Sequence, residues 1–497
     1  AGRRGWLLFA PAADAALTAA LSAALSARGC ALAVVETDSV DAEARCAAAL
    51  GAATCPESSL WRADGPVALC GVVALLGATP PAADSAEGAA GACGAVRELL
   101  TLTRAMARLK EAPPLHVATR GAQAVAPSDP PADVGGAACW GWARAYAREV
   151  AGGVCCVDLC ARADAAAAGA MLANHLADYG AQSAEPAEAA IRASGAYRPT
   201  PEPVQAPPTG RVAFDGSKAY VVSGGLGGLG LHLVRWLLAR GARTVVALSS
   251  SAATVDARRA ELDAIASTCH AAVHARVVDV SDGPAVLSAL DDVHRHVAPI
   301  GGIFHLAGVL DSCHVADLDW PRAERVLAPK ASGALHLHRA SVDLHLELDH
   351  FVLFSSIYAL LGYAQLAHYA AANAALDGLA ANRRSLGLPA LCVNWGLWRD
   401  AHSMAPQSVG FVRRWEAQGM RYLDVNEGLG ALDALMAGGA AADGAAFGAF
   451  PVVDWAKLAA SAHAPRSALF PEDTGAPAEG GVEVGGAAPA AEVSTSS

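Results

Sequence analysis

A turn built almost wholly of glycine, set between a strand and a helix, constrains this chain more than any other feature. Tyr220-Val221-Val222 is a short apolar run, Ser223-Gly224-Gly225-Leu226-Gly227-Gly228-Leu229-Gly230 follows it, and Leu231 to Arg240 has helical spacing that stops at Gly241. Gly224, Gly228 and Gly230 form a GxxxGxG pattern. Their missing side chains let backbone N–H groups approach a pyrophosphate at the positive end of the next helix. A flexible glycine loop seldom lies between a buried strand and an amphipathic helix, so the segment predicts a dinucleotide-binding α/β unit.

The same alternation of strand and helix runs along most of the chain. Strand candidates Trp6 to Phe9, Ala31 to Glu36, Val67 to Leu76, Leu115 to Thr119 and Val154 to Leu159 are separated by helical stretches such as Ala15 to Ala27 and Val96 to Leu109. This first series ends near Tyr197. A second takes in Lys218 to Val222, Thr244 to Leu248, Ala275 to Val280, Gly302 to Leu306, Phe351 to Phe354 and Ala390 to Asn394. Such alternation predicts parallel-sheet α/β architecture, and 497 residues are too many for a single small module. Residues 199–210 are too rich in proline for a helix or a central strand and read as an extended connection between the halves. From about Pro471 to Ser497 almost no large apolar residue remains, which predicts a linker or tail.

Composition narrows the partners. Apolar residues make up 54% of the chain and aromatics only 5%, so the core must be built from small side chains. With 36 Lys and Arg against 48 Asp and Glu, the net charge of −12 has the wrong sign for a phosphate-backbone binder, and no nucleic acid partner is expected. The 12 cysteines include no CxxC pair and no zinc-like spacing, and the adjacent Cys155 and Cys156 cannot bridge easily; all read as buried reduced thiols. His232, Trp236, His336 and His338 read as isolated surface residues that form no ligand set, so no metal is assigned. Gly, Pro, Arg or Asp interrupts every apolar stretch before it could span a bilayer, which predicts a soluble, cytoplasmic protein with no membrane partner. The opening Ala1-Gly2-Arg3-Arg4-Gly5 has no initiator Met and no signal-peptide layout, and reads as a piece of a longer chain.

The two halves differ at their first turns. Ala10-Pro11-Ala12-Ala13-Asp14 follows the opening strand of the first half, where side chains and a proline fill the space a phosphate would need, so that half is expected to bind no dinucleotide. In the second half Ser249, Ser250 and Ser251 stand where a carboxylate would hold the ribose 2′-OH of NAD or an arginine the 2′-phosphate of NADP. Three hydroxyls and no acid favour NADPH. Asp279, after Arg276 to Val278, suits either acceptance from the adenine amino group or capping of a strand end.

Further on, Ser355-Ser356 ends an apolar strand, and Tyr369 opens a helical run whose face it shares with Asn373 and Asp377. Reducing a ketone with hydride requires a proton donor for the developing alkoxide, a hydroxyl to hold the carbonyl, and a cation to lower the donor's pKa. Tyr369, Ser356 and Lys330 supply those three types. A half-buried helical tyrosine would be the commoner explanation of Tyr369 taken alone, but the glycine turn upstream and Ser356 favour catalysis.

These segments resemble the short-chain dehydrogenases/reductases, and specifically the ketoreductase domain of a modular type I polyketide synthase. The matching stretches are Ser223 to Gly230, Phe304-His305-Leu306-Ala307-Gly308-Val309-Leu310-Asp311, Ala328-Pro329-Lys330, Phe354-Ser355-Ser356, His368 to Asp377, and Val393-Asn394-Trp395-Gly396. Ordinary members carry Tyr-x-x-x-Lys on the helix. Here Asn373 takes the lysine's place and Lys330 comes from an earlier segment, the exchange seen in this subfamily. Ala137-Ala138-Cys139-Trp140-Gly141-Trp142-Ala143-Arg144 and Cys156-Val157-Asp158-Leu159 are similar to the subdomain that braces such reductases.

The resemblance implies two Rossmann-like doubly wound subdomains: a structural one over 1–207 without a cofactor site, and a catalytic one over 208–470, followed by a flexible tail over 471–497. It implies that Tyr369 protonates the β-keto oxygen, Ser356 holds the carbonyl, and Lys330 with Asn373 supports the tyrosine and its proton path. NADPH would lie against Ser223 to Gly230, Ser249 to Ser251, Asp279, Val280, His305, Ala307 and Gly308. The substrate would be a β-ketoacyl thioester on an acyl carrier protein, beside neighbouring synthase domains. Three positions depart from the family pattern. Ser250 replaces the arginine that clamps the 2′-phosphate, Leu361 the tryptophan of one stereochemical class, and Leu310-Asp311-Ser312 keeps one Asp of the Leu-Asp-Asp of the other, B-type class, toward which the chain leans. Trp398 to Val412 has the position of a lid, or of a plain surface loop. Two alternatives stand beside the reductase: an inactive structural module of a synthase, and a free-standing reductase, which would explain neither the bracing half nor the tail.

Overall fold

The protein was analysed as a computed structural model, which describes residues 3–37, 42–55, 58, 60–61, 67–76, 88–125, 129–130, 132–179, 188–199, 211–399, 409–437, 447–450, 453–454 and 457–458. The proline-rich connection beyond residue 199, the expected tail and most of the expected lid lie outside the described residues.

Long-range pairing gathers the strands into two seven-stranded sheets. The first contains β1 (Arg3–Ala10), β2 (Ala31–Glu36), β3 (Val67–Leu75), β4 (Leu115–Arg120), β5 (Val154–Leu159), β6 (Glu188–Arg192) and β7 (Gly195–Tyr197), in the order β2-β1-β3-β4-β5-β6-β7. The second contains β8 (Ala219–Ser223), β9 (Thr244–Ser249), β10 (Ala272–Val277), β11 (Ile300–His305), β12 (His350–Ser356) and β13 (Leu391–Trp395), and is completed by β16 (Phe447–Phe450), in the order β10-β9-β8-β11-β12-β13-β16. Two short strands, β14 (Trp398–Arg399) and β15 (Leu423–Asp424), pair separately. Every pairing is parallel except β6 with β7. Helices therefore cover both faces, and β5, β8 and β11 are buried throughout, including the polar Asp158, Ser223 and His305 near their carboxyl ends. Strand order reverses between β1 and β3 in the first half and between β8 and β11 in the second, the doubly wound arrangement expected from the sequence.

Helices α1 (Ala15–Ser26), α2 (Ala42–Ala53), α3 (Gly88–Ala107), α4 (Val134–Tyr146) and α5 (Ala165–Tyr179) belong to the first half. The second half adds α6 (Gly228–Ala239), α7 (Ala252–Cys269), α8 (Gly283–His296), α9 (Trp320–Leu327), α10 (Gly333–Asp343), the short α11 (Tyr358–Leu361), α12 (Ala367–Ser385), α13 (Val409–Ala417) and α14 (Val425–Ala437). Some boundaries differ from the sequence reading. β10 pairs with β9 along its whole length, so it lies at Ala272–Val277 and not at Ala275 to Val280. It is a largely exposed edge strand with little apolar signal, whereas Val278 and Val280 are buried in the turn that follows. α3 starts before Val96 and α6 before Leu231, because glycine- and alanine-rich first turns carry no hydrophobic period.

Other expectations are corrected by burial. All cysteines are free, but Cys55 is exposed and Cys70, Cys93, Cys160 and Cys269 are only partly buried. Trp236 belongs to the core of the second half with the Arg240 guanidinium over its ring, and His338 is packed against Arg383, so neither is a surface residue. His336 is partly buried with Nδ1 3.0 Å from the Val280 carbonyl. Among the described residues no His, Cys, Asp and Glu cluster could hold a metal ion, and no helix is long and apolar enough to cross a membrane.

The halves share one hydrophobic core. Leu7, Leu99, Trp142 and Val117 of the first half join Val326, Ala367, Ala370 and Ala371 of the second in one buried cluster. Its seam is α4 against α12. Small residues bring the two backbones together: a Cβ on Gly141 would lie 2.5 Å from the Ala370 carbonyl oxygen and 2.6 Å from the Ala374 methyl. α12 carries Tyr369, so the first half packs directly on the helix with the expected chemistry.

Candidate active site

The glycine turn leaves β8 with Gly224 at φ 71, in the left-handed region. Gly224 N–H donates to the Leu248 carbonyl and Gly227 N–H to the Gly224 carbonyl, which closes the turn. A Cβ on Gly230 would lie 2.3 Å from the Gly224 oxygen, so no other residue fits there without moving the loop. α6 then starts after Gly227, which makes no side-chain capping bond. Its first-turn N–H groups are thus left for an anion, and the cradle fits a pyrophosphate.

The hydroxyls after β9 already serve as local acceptors. Ser249 Oγ accepts from Ser251 N–H, and Ser251 Oγ accepts from Thr254 N–H as the N-cap of α7. In both cases the oxygen accepts, so each O–H can still donate. Ser250 is exposed beside them. Asp279 caps its turn by accepting from the N–H and Oγ–H of Ser281.

A buried histidine links the glycine turn to the lysine. His305 Nε2 lies 2.9 Å from the Lys330 carbonyl and Nδ1 lies 2.6 Å from Ser223 Oγ. Burial, reinforced by the Lys330 charge, holds the ring down to about 3, so it is neutral. A carbonyl can only accept; Nε2 therefore carries the proton and Ser223 Oγ–H donates to Nδ1.

Lys330 lies in a π-helical turn, Ala328–Ser332, and is 4% exposed. Its Nζ donates to the Phe354 carbonyl at 3.0 Å, and its methylenes lie against Gly308, where a Cβ would be 2.6 Å from Lys330 Cε. Burial pulls the ammonium down to about 8, opposed by the charges of Cys392 and Asp377. Tyr369 lies in the first turn of α12. Burial pushes its phenol above the ordinary tyrosine value, while hydrogen bonds with the Asn373 and Ser356 side chains pull it back. Asn373 Nδ2 donates to the Tyr369 carbonyl at 2.8 Å, and its Oδ1 is buried without a hydrogen-bond partner.

Ser356 ends β12, Tyr369 and Asn373 lie in the first turns of α12, which packs on β12, and Lys330 is buried with its ammonium on β12. The ammonium is hydrogen-bonded to Phe354 and not to the phenol. Behind them lies a network that sequence reasoning left without a role. Ser355 Oγ–H donates to the Asn373 carbonyl at 3.1 Å, and Asn394 Nδ2 bridges Ser355 Oγ and the Asp377 carboxylate at 3.0 Å. Cys392 Sγ lies 3.1 Å from Asp377 Oδ1. Burial pushes Asp377 up to about 6, against the hydrogen bonds from Asn394 and Cys392. Helical spacing put Asp377 on the Tyr369 face, but only the pairing of β12 with β13 brings Asn394 opposite Ser355.

One side of Tyr369 is apolar. Tyr358, Leu361, Leu366, Trp415, Met420 and Tyr422 form a buried cluster against which Leu310, Tyr363 and Tyr369 pack. Trp398, where the expected lid begins, is buried against Trp395 at 4.8 Å between ring centroids. Asp311 is held by Arg322 at 2.5 and 2.8 Å and by Ser312 N–H, and the Arg322 guanidinium lowers its pKa to about 2.

Comparison with known proteins gives a consistent picture. A family model described as the KR domain matches residues 218–400. Polyketide synthase GfsB of Streptomyces halstedii is 36% identical over 332 residues, covering 65% of this chain and 6% of that protein. Polyketide synthase GfsE of the same organism is 35% identical over 330 residues, 65% of this chain and 8% of that protein, so the chain spans a small part of these relatives. An A1-type ketoreductase structure matches with a TM-score of 0.74 at 29% identity, covering 92% of this chain and 90% of that one. A C2-type ketoreductase from a modular polyketide synthase matches with a TM-score of 0.74 at 27% identity, covering 92% and 94%.

Proposed function

Because the chain belongs to the ketoreductase domains of modular polyketide synthases, within the short-chain dehydrogenase/reductase superfamily, we propose that it reduces the β-keto group of a carrier-bound acyl thioester to a β-hydroxyl with NADPH. The observation that carries this reading is the joining of the end of β12, which bears Ser356, to the first turns of α12, which bear Tyr369 and Asn373, through Ser355 Oγ–H donating to the Asn373 carbonyl at 3.1 Å. When bound, NADPH supplies the hydride. The glycine turn from Ser223 to Gly230 would hold its pyrophosphate and Ser249 to Ser251 its 2′-phosphate, Asp279 and Val280 would serve its adenine end, and His305, Ala307 and Gly308 its nicotinamide end. Ser356 Oγ–H donates to the keto oxygen. Tyr369 transfers its proton to the same oxygen as it gains charge. Lys330 contributes positive charge beneath β12 that favours the phenolate, and Asn373 completes the proton path. The apolar cluster around Leu361 and Trp415 provides a wall for the acyl chain.

By the same reading, residues 1–207 form the structural subdomain, 208–470 the catalytic one and 471–497 a linker toward an acyl carrier protein, in a cytoplasmic assembly with other synthase domains. Ser250, where the family carries an arginine, favours a second reading as an inactive structural module. Incubation with NADPH and a short β-ketoacyl thioester separates the two. The reductase reading expects consumption of NADPH and a single alcohol hand, with Asp311 pointing to the B-type product. Thermal protection by NADPH without turnover would support the scaffold instead.

A further inference from the structure

The described residues hold three non-glycine positions with positive φ: His270, His345 and Gln365. His270 and His345 follow the last turns of α7 and α10, where a left-handed residue is a common helix stop. Gln365, at φ 69, precedes α12 instead. It is the third residue of a turn closed by Leu366 N–H donating to the Tyr363 carbonyl at 3.1 Å, and a left-handed residue there costs a side chain with a Cβ free energy that its surroundings must supply.

Those surroundings come from the other half of the molecule. Glu149 follows α4, and its side chain is only 6% exposed. Its Oε1 accepts from Gln365 N–H at 2.7 Å. Its Oε2 accepts from Val315 N–H at 2.8 Å and lies 3.2 Å from His314 Nδ1. The Gln365 carbonyl in turn accepts from Cys313 N–H at 2.9 Å. One carboxylate therefore ties together the segment before α12 and the loop that follows Leu310-Asp311. Two arginines of the same region grip α11: Arg144 donates to the Ala359 carbonyl at 2.8 Å and Arg148 to the Leu361 carbonyl at 3.1 Å. Gln365 is one residue from Leu366, which belongs to the apolar cluster that includes Leu310 and Tyr369. Tyr369 itself sits in the first turn of the helix that this segment starts.

We propose that Glu149 is a positioning residue for the reduction: from the non-catalytic half it holds Gln365 in the left-handed conformation, and so fixes the entry of α12 that carries the Tyr369 phenol. This rests on the ketoreductase reading above. Glu149 bonds to Gln365, Val315 and His314 and, among the described residues, to none of the glycine turn, so the Kd for NADPH is expected to stay unchanged.

A double-mutant cycle tests it, because glycine adopts the left-handed conformation without help. Glu149→Gln, nearly the same shape, lowers kcat by roughly tenfold in the native background and leaves the Kd for NADPH unchanged. In the Gln365→Gly background the same change lowers kcat by less than about threefold. An equal loss in both backgrounds, or no loss in either, overturns the proposal. Amide hydrogen exchange supplies a readout that needs no turnover: the Gln365 N–H is protected in the native protein and exchanges faster in Glu149→Gln. Unchanged exchange there also overturns it. Intact protection in a native protein that reduces no β-ketoacyl thioester would instead count against the reductase reading alone.

Discussion

At the carboxyl ends of their strands the two halves make the same topological move and leave opposite surfaces. In the first half the carboxyl end of β5, away from the reversal between β1 and β3, is closed by its own charges. Asp158 accepts from Thr119 Oγ1 at 2.8 Å, Ala122 N–H at 2.7 Å, Gln123 N–H at 3.2 Å and Arg192 Nη2 at 2.9 Å, and Trp140 Nε1 donates to the same Thr119 hydroxyl. In the second half Gly227 leaves the start of α6 uncapped, and Asn373 Oδ1 is buried without a partner. A buried carboxylate that is fully hydrogen-bonded stabilises a fold and offers nothing to a ligand. Backbone N–H groups at an uncapped helix start, beside a turn without side chains, are where an anion completes the set.

The difference can be broken from either side. The largest effect is expected from Tyr369→Phe, which removes the proton donor and lowers kcat by roughly 1,000-fold or more while the Kd for NADPH stays unchanged. Single-turnover kinetics with separate cofactor titration checks both parts. Next, Arg192→Met at the closed end of β5 strands the Asp158 carboxylate and costs about 3 kcal/mol of unfolding free energy, with kcat intact at permissive temperature. Burial already raises Asp158 above its ordinary value and Arg192 is the largest opposing influence, so the variant's folded pKa rises further. Its folded state then holds a proton the unfolded state has lost, and denaturation curves should show stability falling as pH rises from about 4 toward that folded value.

Smaller again is Gly224→Ala. It strains a left-handed position, and its Cβ would lie 2.9 Å from the Ala307 nitrogen. The expected result is roughly a tenfold loss of NADPH affinity by calorimetry, whereas Ala12→Gly in the first half creates no cofactor binding. The smallest effect is on pH dependence. Lys330 titrates near 8 because burial outweighs the fields of Cys392 and Asp377. Asp377→Asn removes one of those fields, so Lys330 loses its proton at lower pH and the basic limb of the kcat profile moves down by up to about one unit. A limb that moves up or stays would break the assignment of that limb to Lys330.

Much of this was legible along the chain. β2 and β5 lie where their apolar runs put them, and the glycine turn announced its fold because only a backbone without Cβ atoms can pass beneath Gly230. Ser356 at a strand end and Tyr369 and Asn373 at a helix start were also readable, since those are local features. β10 was misplaced because an exposed edge strand has no apolar pattern to read. Asn394, Glu149 and Arg144 carried no visible role, for their partners lie far away in sequence and are chosen by sheet order and by the seam of α4 with α12.

What the sequence determined by itself is therefore the chemistry available and the elements that carry it: a phosphate-sized gap, a phenol, a hydroxyl and an ammonium on defined strands and helices. Only the tertiary structure decided what each group does with its proton. Burial draws Lys330 down and Tyr369 and Asp377 up, and groups folded in from elsewhere oppose those shifts: Cys392 and Asp377 for Lys330, Ser356 alongside the nearby Asn373 for Tyr369, and Asn394 and Cys392 for Asp377. Local pattern follows from covalent geometry and residue type, but the cost of removing a charge from water depends on everything packed around it.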